Sequence, residues 1–550
     1  MREFFVKVVI IALFAFLTVS CGEDSSVNDN ESGADDDILT VDDEDQTADS
    51  DNEVPDDARF DPFIQALKDD LAKSKAYGVS VAIMENGKIT FAAAFGSKDA
   101  EGEIPLTTET LMQIGSTTKQ MTAAALLKKV ENGDVSLDDS LETLLPDFDF
   151  KKDGTWDDAI KLRHILSHQG GFYDFTPWDD TPDDELLGYT AYGTFAKNYF
   201  VMNPPGVFWN YANPNFAFAG LVTEVLDTRF YPDIMREDIF LPLGMDRTYL
   251  RKKEVEKDGD YAVSYGYDFN DVESGNTVTI DLDKIADSAF TRPAGLVWTT
   301  PSQMMKWADF LMNGNKDVLS DELRKEITTA QVDTLYGAGT MKYGYGMFVE
   351  SGYASKDGKW YEIPVWEHGG NTISFSNILY ILPEQDFALA ICSSAYATDF
   401  SNSVDAAITT LADLPEPSDN PPKYTVDPAR FDDHIGTYED PFNVGTLVIT
   451  RDGDKLMVDA PDLDEYGLTV TPELTAVSSD IFVIYLDGTP YDITFIKADG
   501  NTKSTYIRQR AFVAKRSDGT TELKSFNMKK NIERWLKRSR IETGPLFFHH

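Results

Sequence analysis

Residues 121–127, MTAAALL, offer almost no polar face. A helix that is apolar nearly all the way round cannot lie on a surface; it has to be enclosed on several sides. The chain therefore needs a body large enough to wrap it, and 42% hydrophobic residues in a chain of 550 can build one. Just ahead of this run stands IGSTTKQ, residues 114–120, which puts Ser116 and Lys119 three places apart at the helix mouth. At that spacing two side chains share nearly one face, with Cβ atoms roughly 5–6 Å apart. A serine hydroxyl is a weak nucleophile at neutral pH and needs a base beside it. Lysine in water is a cation, so it serves as a base only where burial and neighbouring positive charge weaken its hold on the proton. The unpaired N–H groups at the helix start act in the same direction, and they favour negative charge on an attacked carbonyl oxygen. Taken alone, S-x-x-K is more often an N-cap serine and a surface lysine.

The surrounding segments set the architecture. FIQALKDDLAKSKA predicts a helix, with Ile64, Leu67 and Leu71 at helical spacing. VSVAIMENGKITFAAAFG predicts two strands joined at Asn86-Gly87, a favoured hairpin pair. The Ser116 helix stops at Asn132-Gly133. Far downstream, YEIPVW, SFSNILYIL and FALAICS predict three strands, the last carrying Cys392 as a core residue, and SNSVDAAITTLADL predicts a helix. The sheet thus draws on both ends of residues 60–415, with a mostly helical insertion between them: an α+β body, an antiparallel sheet flanked by helices. Residues 416–423 form a Pro-rich linker. From 424 to 515, GTLVITRDGDKLMVDA, DIFVIYLDG and YDITFIKADG alternate apolar and polar residues around Asp-Gly turns, predicting a separate all-β, lipocalin-like barrel. In the basic tail, 516–550, Met528, Ile532, Trp535 and Leu536 share a helical face that suits an anionic lipid surface, the acidic segment described next, or the barrel itself.

The net charge of −45 is unevenly spread: residues 23–57 hold sixteen Asp and Glu and no Lys or Arg. Residues 22–59 have too little apolar content to offset the entropy of ordering, and their mutual repulsion extends them into a tether. So acidic a chain repels phosphate backbones, which excludes nucleic acid as a partner. Residues 1–21 have a basic start, Arg2 and Lys7, and a twelve-residue apolar run, too short for a bilayer that takes about 20. They read as a signal peptide. Ending at Ser20-Cys21, it resembles a bacterial lipoprotein signal, although Thr18 stands where such signals usually carry Leu. That resemblance implies a lipidated Cys21, a membrane partner through it, and a place in the bacterial cell envelope. With one further cysteine there is no disulfide framework.

Two more segments give Ser116 and Lys119 a context: PGVFWNYANPN, residues 205–215, and WEHGG, residues 366–370. Ser-x-x-Lys, then Tyr-x-Asn, then a polar residue before two glycines, in that order, resemble the serine β-lactamase and penicillin-binding-protein superfamily, in its class C-like branch. SKAYGVSVAIMENGKI, LRHILSHQGGF, IFLPLGMDRT and RPAGLVWTTPSQMMKW are similar to landmarks of the same family, over about residues 60–415. The resemblance implies that Ser116 is the acylated nucleophile and that Lys119 and Tyr211 relay its proton, Tyr211 acting as general base. It implies that Asn213 bonds the substrate amide or Lys119, and that the N–H groups of Ser116 and Asn371 hold the oxyanion. Gly369 and Gly370 leave the strand bare for substrate. No cofactor and no metal are called for; His164 and His168, four apart in RHILSH, lack the glutamate of the zinc-protease pattern.

The chain departs from the pattern at His368, where lysine usually helps bind a substrate carboxylate. Histidine, mostly neutral at pH 7, grips one less firmly. This disfavours a β-lactamase and resembles D-aminopeptidases, related peptidases and esterases. Glu367 beside it suits a substrate amine or is a solvent-facing strand residue, and Trp298, at a usually small position, narrows the pocket. The expectation is a membrane-tethered serine hydrolase of a small peptide amide or ester, D-amino-acid-containing or D-Ala-D-Ala carboxypeptidase-like. The alternatives are a carboxylesterase or weak β-lactamase, and, in another class, an idle peptidoglycan- or penicillin-binding protein. Oligomeric state is not specified.

Overall fold

The computed structural model describes residues 54–517, except 149, 152–158, 175–198, 268–275, 286, 442, 466 and 499. Cys21, most of the acidic segment and the basic tail therefore lie outside the described residues. Helix α1 (Asp61–Lys73) opens with Pro62 in its first turn and buries Phe63 and Leu67. Strands β1 (Gly78–Glu85) and β2 (Lys88–Gly96) form the expected hairpin. Its turn residues Asn86 and Gly87 both take positive φ, 52° and 69°, which matches the twist of the flanking strands. The insertion follows, with α2 (Thr118–Glu131), α3 (Pro214–Val225) and α4 (Pro301–Asn313) as its long helices. The chain then returns to the sheet as β3 (Val332–Asp333), β4 (Met341–Tyr343), β5 (Phe348–Glu350), β6 (Val365–Asn371), β7 (Ser376–Leu382) and β8 (Phe387–Ser393), before α5 (Ser401–Leu411).

The eight strands run in the order β2-β1-β8-β7-β6-β5-β4-β3, every neighbouring pair antiparallel. Alternation along the central strands sorts their side chains onto two layers. Val79, Val81, Ile83, Leu389 and Ile391 face α1 and α5, joining Phe63, Leu67, Val404 and Ile408. Ala82, Ala388, Ala390 and Cys392 face the insertion helices in the larger core. Of the expected strand YEIPVW, Trp360–Tyr361 pairs elsewhere and only Val365 onward joins the sheet. Pro364 between them has no N–H for a ladder.

Eight further strands close into an antiparallel barrel: β9 (Gly436–Asp440), β10 (Gly445–Asp452), β11 (Lys455–Asp459), β12 (Glu473–Ala476), β13 (Ile481–Leu486), β14 (Thr489–Ile496), β15 (Tyr506–Gln509) and β16 (Phe512–Arg516), with β16 back on β9. It has its own core, including Leu447, Ile449, Phe482, Ile493 and Phe495. The barrel is docked on the first domain. Ile481 packs into a cluster with Trp209, Tyr211, Tyr343 and Phe348, and Tyr506 and Val513 pack with Met202 and Phe208. Buried Arg508 donates to the carbonyl oxygens of Trp209 at 2.8 Å and Thr334 at 3.0 Å, while its guanidinium lies over the Trp209 and Tyr336 rings.

Candidate active site

Helix α2 is enclosed as its sequence requires: every residue from 111 to 127 is buried except Ser116. Ser116 sits in a single tight turn, Gly115–Thr117, that leads into the helix. That turn is pressed against the end of β6, and glycine at two positions allows the approach. Gly115 takes φ +51°, and a Cβ there would lie 2.5 Å from the Asn371 nitrogen; a Cβ on Gly370 would lie 1.8 Å from the Ile114 oxygen and 3.0 Å from the Ser116 nitrogen. The contact places the Ser116 and Asn371 backbones side by side. Strand β5 pairs with β6 only as far as Glu367, so among the described residues His368 to Asn371 have no strand partner on that side. The Thr117 hydroxyl donates to the His368 carbonyl oxygen at 3.0 Å, fixing turn and strand together.

Lys119 is fully buried. Its ammonium donates to Ser116 Oγ at 2.8 Å, Asn213 Oδ1 at 2.7 Å and the Ala294 carbonyl oxygen at 2.7 Å. Three acceptors match the three N–H groups of a protonated lysine. In this geometry Lys119 holds Ser116 and Asn213 in place. Its Nζ lies 5.0 Å from the centre of the Tyr211 ring. The Tyr211 hydroxyl is buried without a hydrogen bond of normal geometry. Even so, the Ser116 hydroxyl is close enough to help draw the Tyr211 pKa down, against burial, which drives it well above the usual phenol range. The Tyr211 oxygen thus faces the Ser116 hydroxyl, and it can take a proton from it only as the phenolate, which burial opposes.

His368 lies completely buried beneath this group. Its Nδ1 lies 2.5 Å from the Gly369 carbonyl oxygen, which makes Nδ1 the donor, and its Nε2 is 3.2 Å from the Tyr343 hydroxyl, which donates to it. Burial and the Lys119 charge push its pKa down to about 3. It is a neutral ring that supports the strand, and it has no charge for a carboxylate. Glu367 is part-buried. Burial, with Glu350 adding to it, holds its carboxyl well above the usual range, so it is not a freely solvated strand residue. Trp298 is core, edge-on to Phe375 at 5.3 Å. The helix expected to carry both His164 and His168 ends at Leu166. The chain turns there, His168 taking φ +54°. Its ring then packs on Tyr211 with centroids 4.1 Å apart, and its pKa falls through burial and through the charge of Lys119.

Two members of the cluster have no motif in the sequence. Asp174 accepts the Asn213 backbone N–H at 2.7 Å through one oxygen and Arg510 Nε at 2.6 Å through the other. Arg510 belongs to the barrel, on the turn between β15 and β16, and its guanidinium carbon stands 4.7 Å from the centre of the Tyr211 ring. Asp174 follows a recognisable segment, LRHILSHQGGF, but nothing local marks Arg510, whose role depends on how two domains meet.

A serine in the turn leading into a buried helix, a lysine one turn on, and a facing tyrosine, beside the open edge of an antiparallel sheet, define a scaffold of the serine-hydrolase, penicillin-binding type. A model of the Beta-lactamase family matches residues 63–413, and the chain belongs to that family. It is 21% identical to Penicillin-binding protein 4* of Bacillus subtilis over 403 residues, 68% of this chain and 82% of that one. It is 21% identical to Protein flp of Staphylococcus aureus over 392 residues, 70% of each. Among solved structures, SurE with D-Leu is similar in fold, with TM-score 0.59 and 19% identity over 84% of this chain and all of that one. The D-amino acid amidase of Ochrobactrum anthropi SV3, complexed with L-phenylalanine amide, has TM-score 0.52 and 21% identity over 64% of this chain and 99% of that one.

Proposed function

We propose that the protein is a serine hydrolase that forms an acyl-enzyme on Ser116 and cleaves amide or ester bonds of small peptides containing D-amino acids. The observation that carries this reading is the Lys119 ammonium, bonded at once to Ser116 Oγ, Asn213 Oδ1 and the Ala294 oxygen under the Tyr211 ring. Ser116 Oγ attacks the carbonyl carbon while its proton passes to Tyr211 in its phenolate form, which the neighbouring Lys119 ammonium favours. The Ser116 and Asn371 N–H groups take the negative charge that grows on the oxygen. The proton then goes to the leaving amine or alcohol, and water releases the acyl group. A neutral, buried His368 gives no grip on a carboxylate, which argues against a β-lactamase or D-Ala-D-Ala carboxypeptidase. The D-amino acid chemistry in the names of two structural neighbours supports the substrate class. A lipidated Cys21 and the acidic segment would hold this body off a bacterial membrane.

The test is incubation with a fluorophosphonate, penicillin, p-nitrophenyl acetate and paired D- and L-aminoacyl amides, with adducts located by mass spectrometry. The expected result is a fluorophosphonate adduct on Ser116 and turnover of D-amides over L-amides. Turnover of the ester alone makes it an esterase, and a folded protein that forms no Ser116 adduct overturns the reading.

A further inference from the structure

We propose that the barrel completes the active site: Arg510 is a positioning residue whose guanidinium favours the Tyr211 phenolate that takes the Ser116 proton. The inference rests on the reading of Tyr211 as the base. Its support is geometric. The guanidinium lies 4.7 Å from the centre of the Tyr211 ring. Arg510 Nε is held by Asp174, whose other oxygen takes the Asn213 N–H, and Asn213 in turn receives Lys119. A continuous polar chain therefore runs from the barrel to the nucleophile. The turn that carries Arg510 is braced from its own side. Gln509 Oε1 accepts the Ala511 N–H at 2.6 Å, and Asn443 donates to the Ala511 oxygen at 2.8 Å. Two residues earlier, Arg508 is anchored on the Trp209 and Thr334 carbonyls. The Arg510 side chain is only 12% exposed, so water screens its charge little.

The groups around Tyr211 come from several elements. Lys119 lies on α2, His368 and Glu367 on β6, Tyr343 on β4, His168 and Asp174 on the loops, and Arg510 on the barrel. Both histidines are held neutral by burial. Asp174 and Glu367 oppose ionisation of the phenol, as burial does. Among the neighbours that favour it, Arg510 acts more strongly than the Ser116 hydroxyl. As the Oγ–carbon bond forms, the Ser116 proton moves to the Tyr211 oxygen. The form able to accept that proton is an anion, and a cation over the ring makes it more available.

The test compares the full-length chain with Arg510→Gln and Arg510→Lys, following kcat/KM for p-nitrophenyl acetate from neutral to alkaline pH, with fluorophosphonate labelling of Ser116 in parallel. The ester has no carboxylate, so a role in substrate binding cannot imitate the effect. The wild-type rate should climb with pH. In Arg510→Gln the climb should move up by about one pH unit or more, with about a tenfold loss below it. Arg510→Lys, which keeps the charge, should recover most of this. Should Arg510→Gln not fold, Arg510→Met keeps the stem's packing and repeats the measurement. A slower variant with an unmoved climb, or a variant that hydrolyses this ester as fast as the wild type at every pH, overturns the proposal. If the wild type itself carries no Ser116 adduct, the functional reading fails. An adduct in the wild type with no shift in the variant removes only the role of Arg510.

Discussion

Gly369 and Gly370 are adjacent on β6, and their substitution by alanine should have opposite consequences. A methyl on Gly369 meets nothing closer than the Asn377 oxygen at 3.8 Å, an ordinary contact. A methyl on Gly370 would lie 1.8 Å from the Ile114 oxygen and 3.0 Å from the Ser116 nitrogen, both backbone atoms that cannot swing aside. A carbon–oxygen contact needs roughly 3.3 Å, so strand and turn must part by about 1.5 Å in Gly370→Ala. Separating them draws the Asn371 N–H away from Ser116. A misplacement of about 1 Å costs on the order of 10²-fold in rate, and losing one oxyanion donor costs about 10²–10³-fold. The overpacking should also destabilise the fold by about 1–3 kcal/mol. Gly369→Ala should stay within about 0.5 kcal/mol of wild type. The assays are urea unfolding and the rate of fluorophosphonate labelling, whose small reagent needs little of the strand. If Gly370→Ala were labelled at the wild-type rate with unchanged stability, the close approach of turn and strand would be wrong, and the oxyanion site with it.

Further outcomes follow from the same structure. Ser116→Ala should abolish labelling while leaving stability near wild type, whereas Lys119→Met should both prevent labelling and destabilise by about 1–3 kcal/mol, because Asn213 and Ala294 lose a buried donor; intact labelling in Lys119→Met would remove lysine from the mechanism. His368 has its pKa pushed down to about 3 in the fold against ~6.5 unfolded. The unfolded chain therefore binds the extra proton first, and stability that is complete above about pH 6.5 is lost on acidification, by about 2 kcal/mol from this residue at pH 5. Urea unfolding at pH 7.5 and pH 5 measures this, and His368→Gln should flatten the difference by a similar amount; an unchanged pH dependence would mean the ring is already charged in the fold. Cys21→Ser should move the protein from the membrane to the soluble fraction of a bacterial lysate; retention on the membrane would refute lipidation as the anchor.

What could be read from the sequence is what short-range physics determines. Asn86-Gly87 fixes a hairpin by itself, because only residues at ease with positive φ fit its turn. MTAAALL announces its own burial, and the alternation in FALAICS announces a strand between two layers. The barrel strands Gly436–Asp440 and Glu473–Ala476 were harder, since each is short and carries acidic residues, and their place in the ladder comes from their neighbours. His168 shows how a helix-period pattern fails: the residue is four places from His164, but the chain leaves the helix at Leu166 to make the turn that lays its ring on Tyr211.

Arg510 marks a different boundary. Its immediate surroundings, IRQRAFV, read as a strand turn with two arginines, and nothing there separates the arginine that anchors the barrel from the one that reaches the nucleophile's neighbour. The distinction arises 299 residues away in sequence, where Arg508 finds the Trp209 carbonyl, and 336 residues away, where Arg510 finds Asp174. Burying a guanidinium is costly unless each donor finds an acceptor. Here the acceptors are two main-chain carbonyls for one arginine and a carboxylate for the other. Docking the barrel and completing the charge balance around Tyr211 are thus one event. A catalytic domain of this family that folds without its barrel would keep Ser116, Lys119 and Tyr211, but would leave Asp174 without its Arg510 partner and Tyr211 without the guanidinium beside its ring. The second domain is therefore a part of the site's electrostatics, a role that no motif within residues 60–415 can express.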